Sequence, residues 1–167
     1  MTDRAPYPTR PGGTGDLPFL WEMLYEASHH GSLSDPEISR YLEGWGRPED
    51  AAVVALDPAD DSRVGAAWYR LMSPDNPGFG FVDASTPEVA IAVVPNSRGM
   101  GVGRVLLRGL LEMAKKQGYG ALSLSVLRDN SAAVALYEKS GFVKLSGTDS
   151  EHPYQTMKVD LSVSGDT

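Results

Sequence analysis

The passage that most constrains this chain is Val93-Val94-Pro95-Asn96-Ser97-Arg98-Gly99-Met100-Gly101-Val102-Gly103-Arg104. Ahead of it, Glu88 to Val94 is a short, apolar, β-branched run with the character of a buried strand. Behind it, Val105 to Gln117 sets apolar residues at helical spacing. The junction carries Gly99, Gly101 and Gly103 on alternate positions, with Arg98 and Arg104 on either side. Glycine lets a backbone approach a ligand without a Cβ in the way. The first amides of the new helix are unpaired and point outward. Strand, glycine-rich turn and helix N-terminus together form an anion cradle, most often for phosphate. Spacing decides which kind. A Walker loop needs a lysine followed by Ser or Thr, and this turn holds no lysine. A dinucleotide fingerprint starting at Gly99-Met100-Gly101 needs glycine at position 104, which is Arg104. What remains is Arg98-x-x-Gly101-x-Gly103.

Length and composition set the outer bounds. A chain of 167 residues is long enough for one domain that buries about two-thirds of its unfolded surface. Hydrophobic content of 41% and charged content of 22% are ordinary for a globular protein. No apolar run approaches the ~20 residues of a membrane span, and the polar start lacks a signal-peptide core; the expectation is a cytoplasmic protein. With no cysteine there is no disulfide framework, no thiolate nucleophile and no cysteine-ligated metal. A net charge of −7 argues against non-specific nucleic-acid binding and mildly favours cationic partners such as amines.

Taken in order, residues 1–6 read as a disordered tail, 7–161 as one domain and 162–167 as a frayed end. Tyr7 to Pro11 suits an edge strand, where proline is tolerated. Asp16 can cap a helix from Leu17 to Ala27, and Ser34 or Asp35 a second, short one through Tyr41 with Pro36 near its first position. The joint between them holds His29 and His30, whose adjacent spacing does not suit two metal ligands on one helix face; a capping or surface role comes first, an acceptor-pocket role second. Ala51 to Leu56 and Arg63 to Met72 predict an antiparallel hairpin, and Ser73 to Gly78 a loop. Gly118 ends the long helix. Ala121 to Leu127 alternates strictly, with Leu122, Leu124 and Val126 on one face and Ser123 and Ser125 on the other. Asp129 or Asn130 caps a helix from Ser131 to Ser140, closed by Gly141 and Phe142. Phe142 to Ser146 and Tyr154 to Leu161 read as the last strands.

The helix after position 130 carries a second motif. Asn130, Ala133 and Tyr137 recur at helical spacing and share one face, before Gly141-Phe142. Together, Arg98-x-x-Gly101-x-Gly103 and Asn-x-x-Ala-x-x-x-Tyr resemble the two signatures of the GNAT superfamily of acetyl-CoA-dependent N-acetyltransferases. The resemblance runs from about Tyr7 to Leu161. It implies an α/β (α+β) fold with a central mixed, mostly antiparallel sheet flanked by helices, its two central strands splayed to admit the co-substrate. It further implies that Val93 and the loop of Arg98, Gly99, Met100, Gly101, Val102, Gly103 and Arg104 hold pantetheine and pyrophosphate, with Asn130 and Ala133 along the same arm. Glu88, seven residues before Pro95, stands where many members carry a general base, and Tyr137 where one protonates the leaving thiolate.

The implied activity is direct acetyl transfer from acetyl-CoA to a primary amine, in a small molecule or a peptide, with no metal. Partners would be that amine and, as an option, a second copy of the chain, with neither nucleic acid nor membrane. The acceptor pocket is expected from the first two helices and the loops near Gly78 and His152. Two rivals stand beside this one: a non-catalytic acyl-CoA-binding regulatory module, and a nucleotide-binding α/β protein, which the missing fingerprints disfavour.

Overall fold

In a computed structural model of the chain, the residues described are 7–145 and 153–161. The tails expected at 1–6 and 162–167, Ser146 and His152 lie outside them. The order is β1 (Thr9–Pro11), α1 (Leu17–Ala27), α2 (Pro36–Ser39), β2 (Ala51–Leu56), β3 (Arg63–Arg70), β4 (Glu88–Val93), α3 (Val102–Lys116), β5 (Ala121–Leu127), α4 (Ser131–Lys139), β6 (Val143–Lys144) and β7 (Tyr154–Asp160). The seven strands form one sheet in the order β1-β2-β3-β4-β5-β7-β6. Every neighbouring pair is antiparallel except β4 with β5. This is the mixed, mostly antiparallel sheet that the sequence leads one to expect. No helix among the described residues is long and apolar enough to cross a membrane.

Alternation along the strands feeds two cores. Ala67, Tyr69, Val89, Leu122, Leu124 and Val126 pack under α3 and α4 with Leu106, Leu107 and Leu110. Ala66 and Trp68 face the other side, where Leu20, Met23 and Leu24 of α1 and Leu42 cover them. Each fully buried large apolar side chain contributes about 1.5–3 kcal/mol of transfer free energy, so both faces are firmly covered. The sheet is nonetheless split. β4 and β5 register only at Glu88 with Ser123, whereas β5 and β7 register over seven pairs from Ala121 with Asp160 to Leu127 with Tyr154. Beyond Glu88 the two central strands diverge.

Two buried acids tie the helical side to the sheet. Asp50 accepts from Arg70 at 2.7 and 3.0 Å, and the same guanidinium donates to the carbonyls of Arg40 (3.0 Å) and Glu43 (2.6 Å). Trp68 Nε1 donates to the carbonyl of Tyr41 at 3.1 Å. The turn after α2 is thereby fixed to β3. α2 itself is capped by the Asp35 side chain and ends at Ser39 rather than running to Tyr41. Asp16 differs from expectation too. It stands before α1, but its side chain does not cap that helix. Instead its carboxylate accepts from Arg10, Arg63 and the Gly13 amide, because two guanidiniums outcompete one helix amide for a buried carboxylate.

Candidate active site

The divergence of β4 and β5 opens a cavity of about 520 Å³. Pairing parity settles what faces it. The Val94 amide donates to the Val64 carbonyl at 2.9 Å while Val93 stands opposite Gly65. Val93 is therefore in a non-hydrogen-bonded pair with β3, and its own N–H and C=O point toward β5. Ile91, two residues back, does the same. One edge of the gap is thus a row of backbone donors and acceptors.

At the open end lies the glycine-rich turn. Gly99 (φ +77°) and Gly101 (φ +91°) take the left-handed conformation, which other residues adopt only with strain. Gly101 precedes α3, and no side chain caps the first amides of that helix. The cradle therefore keeps donors for an anion. Gly103 lines the cavity, and a Cβ there would come within 3.0 Å of Leu136 Cδ2. Met100 is exposed beside Tyr7, and Val102 is buried in the core under α3. The two arginines differ. Arg104 is exposed with no ion pair among the described residues, whereas Arg98 donates to the Val93 carbonyl (3.1 Å) and to Glu26 of α1 (2.8 Å). Arg98 thus bridges β4 and α1 rather than pointing freely at the cradle.

The opposite wall comes from α4. Asn130, Ala133, Leu136 and Tyr137 all line the cavity. The Asn130 side-chain oxygen accepts from the Ala133 amide at 3.2 Å, so it caps α4 and presents only its NH2 group to a ligand. Tyr137 is buried against Phe142, and no described group hydrogen-bonds its hydroxyl. Burial pushes its pKa up to about 12, so the phenol holds its proton throughout the neutral range.

Glu88 sits at the closed end, 2% exposed. Tyr41 donates a short hydrogen bond to its Oε2, and the Gly80 amide donates to the same oxygen at 2.8 Å. The Tyr41 hydroxyl in turn accepts from the Phe79 amide at 2.8 Å. Oε1 is buried without a partner among the described residues. Burial pushes the Glu88 carboxyl up, and the hydrogen bonds from Tyr41 and Gly80 oppose that only in part. Burial and the neighbouring Glu88 raise Tyr41 well above an ordinary phenol, which keeps it the donor of the pair. The loop over this carboxylate packs without room for side chains: a Cβ on Gly78 would fall 2.1 Å from Glu88 Oε1, and one on Gly80 2.5 Å from the Leu124 carbonyl carbon.

Tyr41, Gly78 and Gly80 are the part that sequence reasoning missed. In the sequence Tyr41 is only the end of a short helix, and the loop near Gly78 is only an expected part of the acceptor pocket, not the cover of Glu88. The Gly-x-Gly at 78–80, eight residues before a lone strand glutamate, was the one available signal. His29 lines the cavity, while His30 stacks on Tyr25 and pairs with Glu26 on the surface. Among the described residues no group of acids and histidines is placed to hold a metal.

Known proteins match this arrangement. Residues 17–142 fit the model of the acetyltransferase (GNAT) family. A mycothiol acetyltransferase of Paenarthrobacter aurescens is 33% identical over 121 residues, which covers 70% of this chain and 36% of that protein. One from Rhodococcus erythropolis is 31% identical over 115 residues, covering 67% and 36%. The chain thus spans little more than a third of the length of these curated relatives. In fold, it resembles the ribosomal-protein-alanine N-acetyltransferase of Brucella melitensis (TM-score 0.68, 24% identity, 91% and 98% of the two chains). A GCN5-related N-acetyltransferase from Kribbella flavida is similar as well (TM-score 0.64, 24% identity, 92% and 96%). A split sheet, a glycine cradle at its open end and a match across residues 17–142 converge: the chain belongs to the acetyltransferase (GNAT) family.

Proposed function

We propose that this chain acetylates a primary amine directly from acetyl-CoA, with Glu88 as general base and Tyr137 as general acid. The observation that carries this is continuity. One cavity joins Gly103 and Arg98 at the cradle, the polar edge of β4, the α4 face and Glu88. The residues fit the co-substrate. The uncapped start of α3 suits a pyrophosphate, the N–H and C=O of Ile91 with the N–H of Val93 suit an amide-bearing arm, and a Cβ at Gly103 would crowd Leu136 across the cavity. When bound, acetyl-CoA supplies an activated thioester.

The protein's own part is positioning and proton handling. Holding an amine against an acyl carbon accounts for much of the acceleration in such reactions. A backbone amide of β4 near Val93 stabilises the charge that develops on the carbonyl oxygen. Glu88, whose Oε1 has no partner among the described residues, accepts a proton from the nitrogen as the N–C bond forms. Tyr137 gives its proton to sulfur as the C–S bond breaks. Glu88 then loses its proton to solvent and Tyr137 regains one, so the products are the amide and a free thiol. The relatives' names belong to proteins of which this chain matches only 36%, so the acceptor is read from this cavity alone.

Two measurements test the proposal together. Acetyl-CoA at a hundredfold excess over its Kd should stabilise the fold by about 2.7 kcal/mol, at roughly 2–4 °C of Tm per kcal/mol. Addition of an amine should then release free thiol. A Tm raised by ATP or NAD but not by acetyl-CoA refutes the proposal. Stabilisation without thiol release from any amine would leave a binding module instead.

A further inference from the structure

Three buried side-chain atoms lack a hydrogen-bond partner among the described residues: Arg40 Nε, Glu88 Oε1 and Ser125 Oγ. They are distant in sequence, yet two belong to residues of one cavity wall and the third stands beside its aromatic rings. Glu88 and Ser125 line the same cavity. Because Glu88 pairs with Ser123, Ser125 lies one pleat further along β5 on the same face of the sheet. The Arg40 guanidinium lies 4.9 Å from the centre of the Phe79 ring and 5.9 Å from that of Tyr41, and both rings line the cavity. Unpaired buried polar groups are costly and are normally matched by something. Two of them belong to residues in the wall of one cavity and the third stands behind two of its aromatic rings, which marks this end of the cavity as the polar one that a substrate can match.

Their chemistry names its class. Arg70 is neutralised by Asp50 and Arg98 by Glu26, but no carboxylate among the described residues pairs with Arg40. Its place is fixed from behind, since Arg70 holds the Arg40 carbonyl and Trp68 holds that of Tyr41. A pre-positioned, unpaired guanidinium is a fork for carboxylate or phosphoryl oxygens. Resting on the acetyltransferase reading above, we propose that the acceptor is an amine that also bears an anionic oxygen group. The amine nitrogen meets Glu88 Oε1, the anion meets Arg40, and the Ser125 hydroxyl serves a polar atom beside them. Phe79, 47% exposed, supplies the apolar wall.

Matched amines test this: propylamine, β-alanine and aminoethylphosphonate share one carbon spacing, and phenethylamine and phenylalanine form an aromatic pair. An anionic member should exceed its neutral counterpart by about tenfold or more in kcat/KM, mostly through KM. Whether carboxylate or phosphonate leads identifies the anion. Arg40→Met keeps an apolar stem on Phe79, and there the ratio should fall to about one. Arg40→Lys keeps a charge but not the fork, and should recover part of the ratio. Titration of N-acetyl-β-alanine against N-acetylpropylamine in the presence of coenzyme A gives the same comparison without turnover. Neutral ligands favoured equally in the wild type, or a preference that survives Arg40→Met, would overturn the proposal. Failure of the acetyltransferase reading looks different: no thiol release from any amine and no stabilisation by acetyl-CoA.

Discussion

A glutamate at the first position of a strand is ordinarily solvated, and Glu88 is not, because Tyr41, Gly78 and Gly80 close over it. Burial raises its carboxyl, so the folded protein keeps that proton to a higher pH than the unfolded chain does. The stability it contributes is present below the ordinary carboxylate pKa and is lost as pH rises through the raised one. Glu88→Gln should therefore match the wild type in Tm near pH 4 and exceed it near pH 8, while kcat/KM falls ~10²-fold or more. The wild-type rate should climb with pH along a limb above the ordinary carboxylate range, and the variant should lack that limb. A lower Tm with normal turnover would make Glu88 a packing residue. Tyr137→Phe isolates the other proton. Cofactor-induced stabilisation should persist while turnover drops ~10²-fold or more, with the deficit shrinking as pH rises toward the pKa of the leaving thiol. Unchanged turnover with an intact melting curve removes Tyr137 from the acid role.

At the scale of elements, the turn before α3 works through backbone rather than side chains. Gly101 stands at φ +91°, where a β-branched residue carries a penalty of about 1–2 kcal/mol. Gly101→Val should lower Tm by only a few degrees yet abolish most of the rise that acetyl-CoA produces, since the amides it carries no longer converge. A full acetyl-CoA shift in this variant would place the phosphate elsewhere. The strands and helices around this turn were legible in the sequence, because alternation in Ala121–Leu127 and helical spacing after Val102 are local properties. Partners far along the chain were not. Arg98 reaches Glu26 across 72 positions and Arg63 reaches Asp16 across 47, and no local pattern encodes either pairing. Ser125 reads correctly as the polar phase of a strand; that its hydroxyl lacks a partner among the described residues goes with the divergence of β4, which periodicity does not record.

At the scale of the molecule, the order of seven strands and four helices follows from the sequence, and the single parallel junction at β4 and β5 follows from the helical crossover that α3 provides. That junction has a mechanical consequence. Four strands lie on one side of it and three on the other, and one rung, Glu88 with Ser123, joins them. Any rocking of the two leaves about this rung moves the glycine cradle most and Glu88 least. Glu88, the proposed base, stands at the fulcrum, so a motion of the leaves that widens the gap at Gly101 would leave its carboxylate and its Tyr41 partner in place.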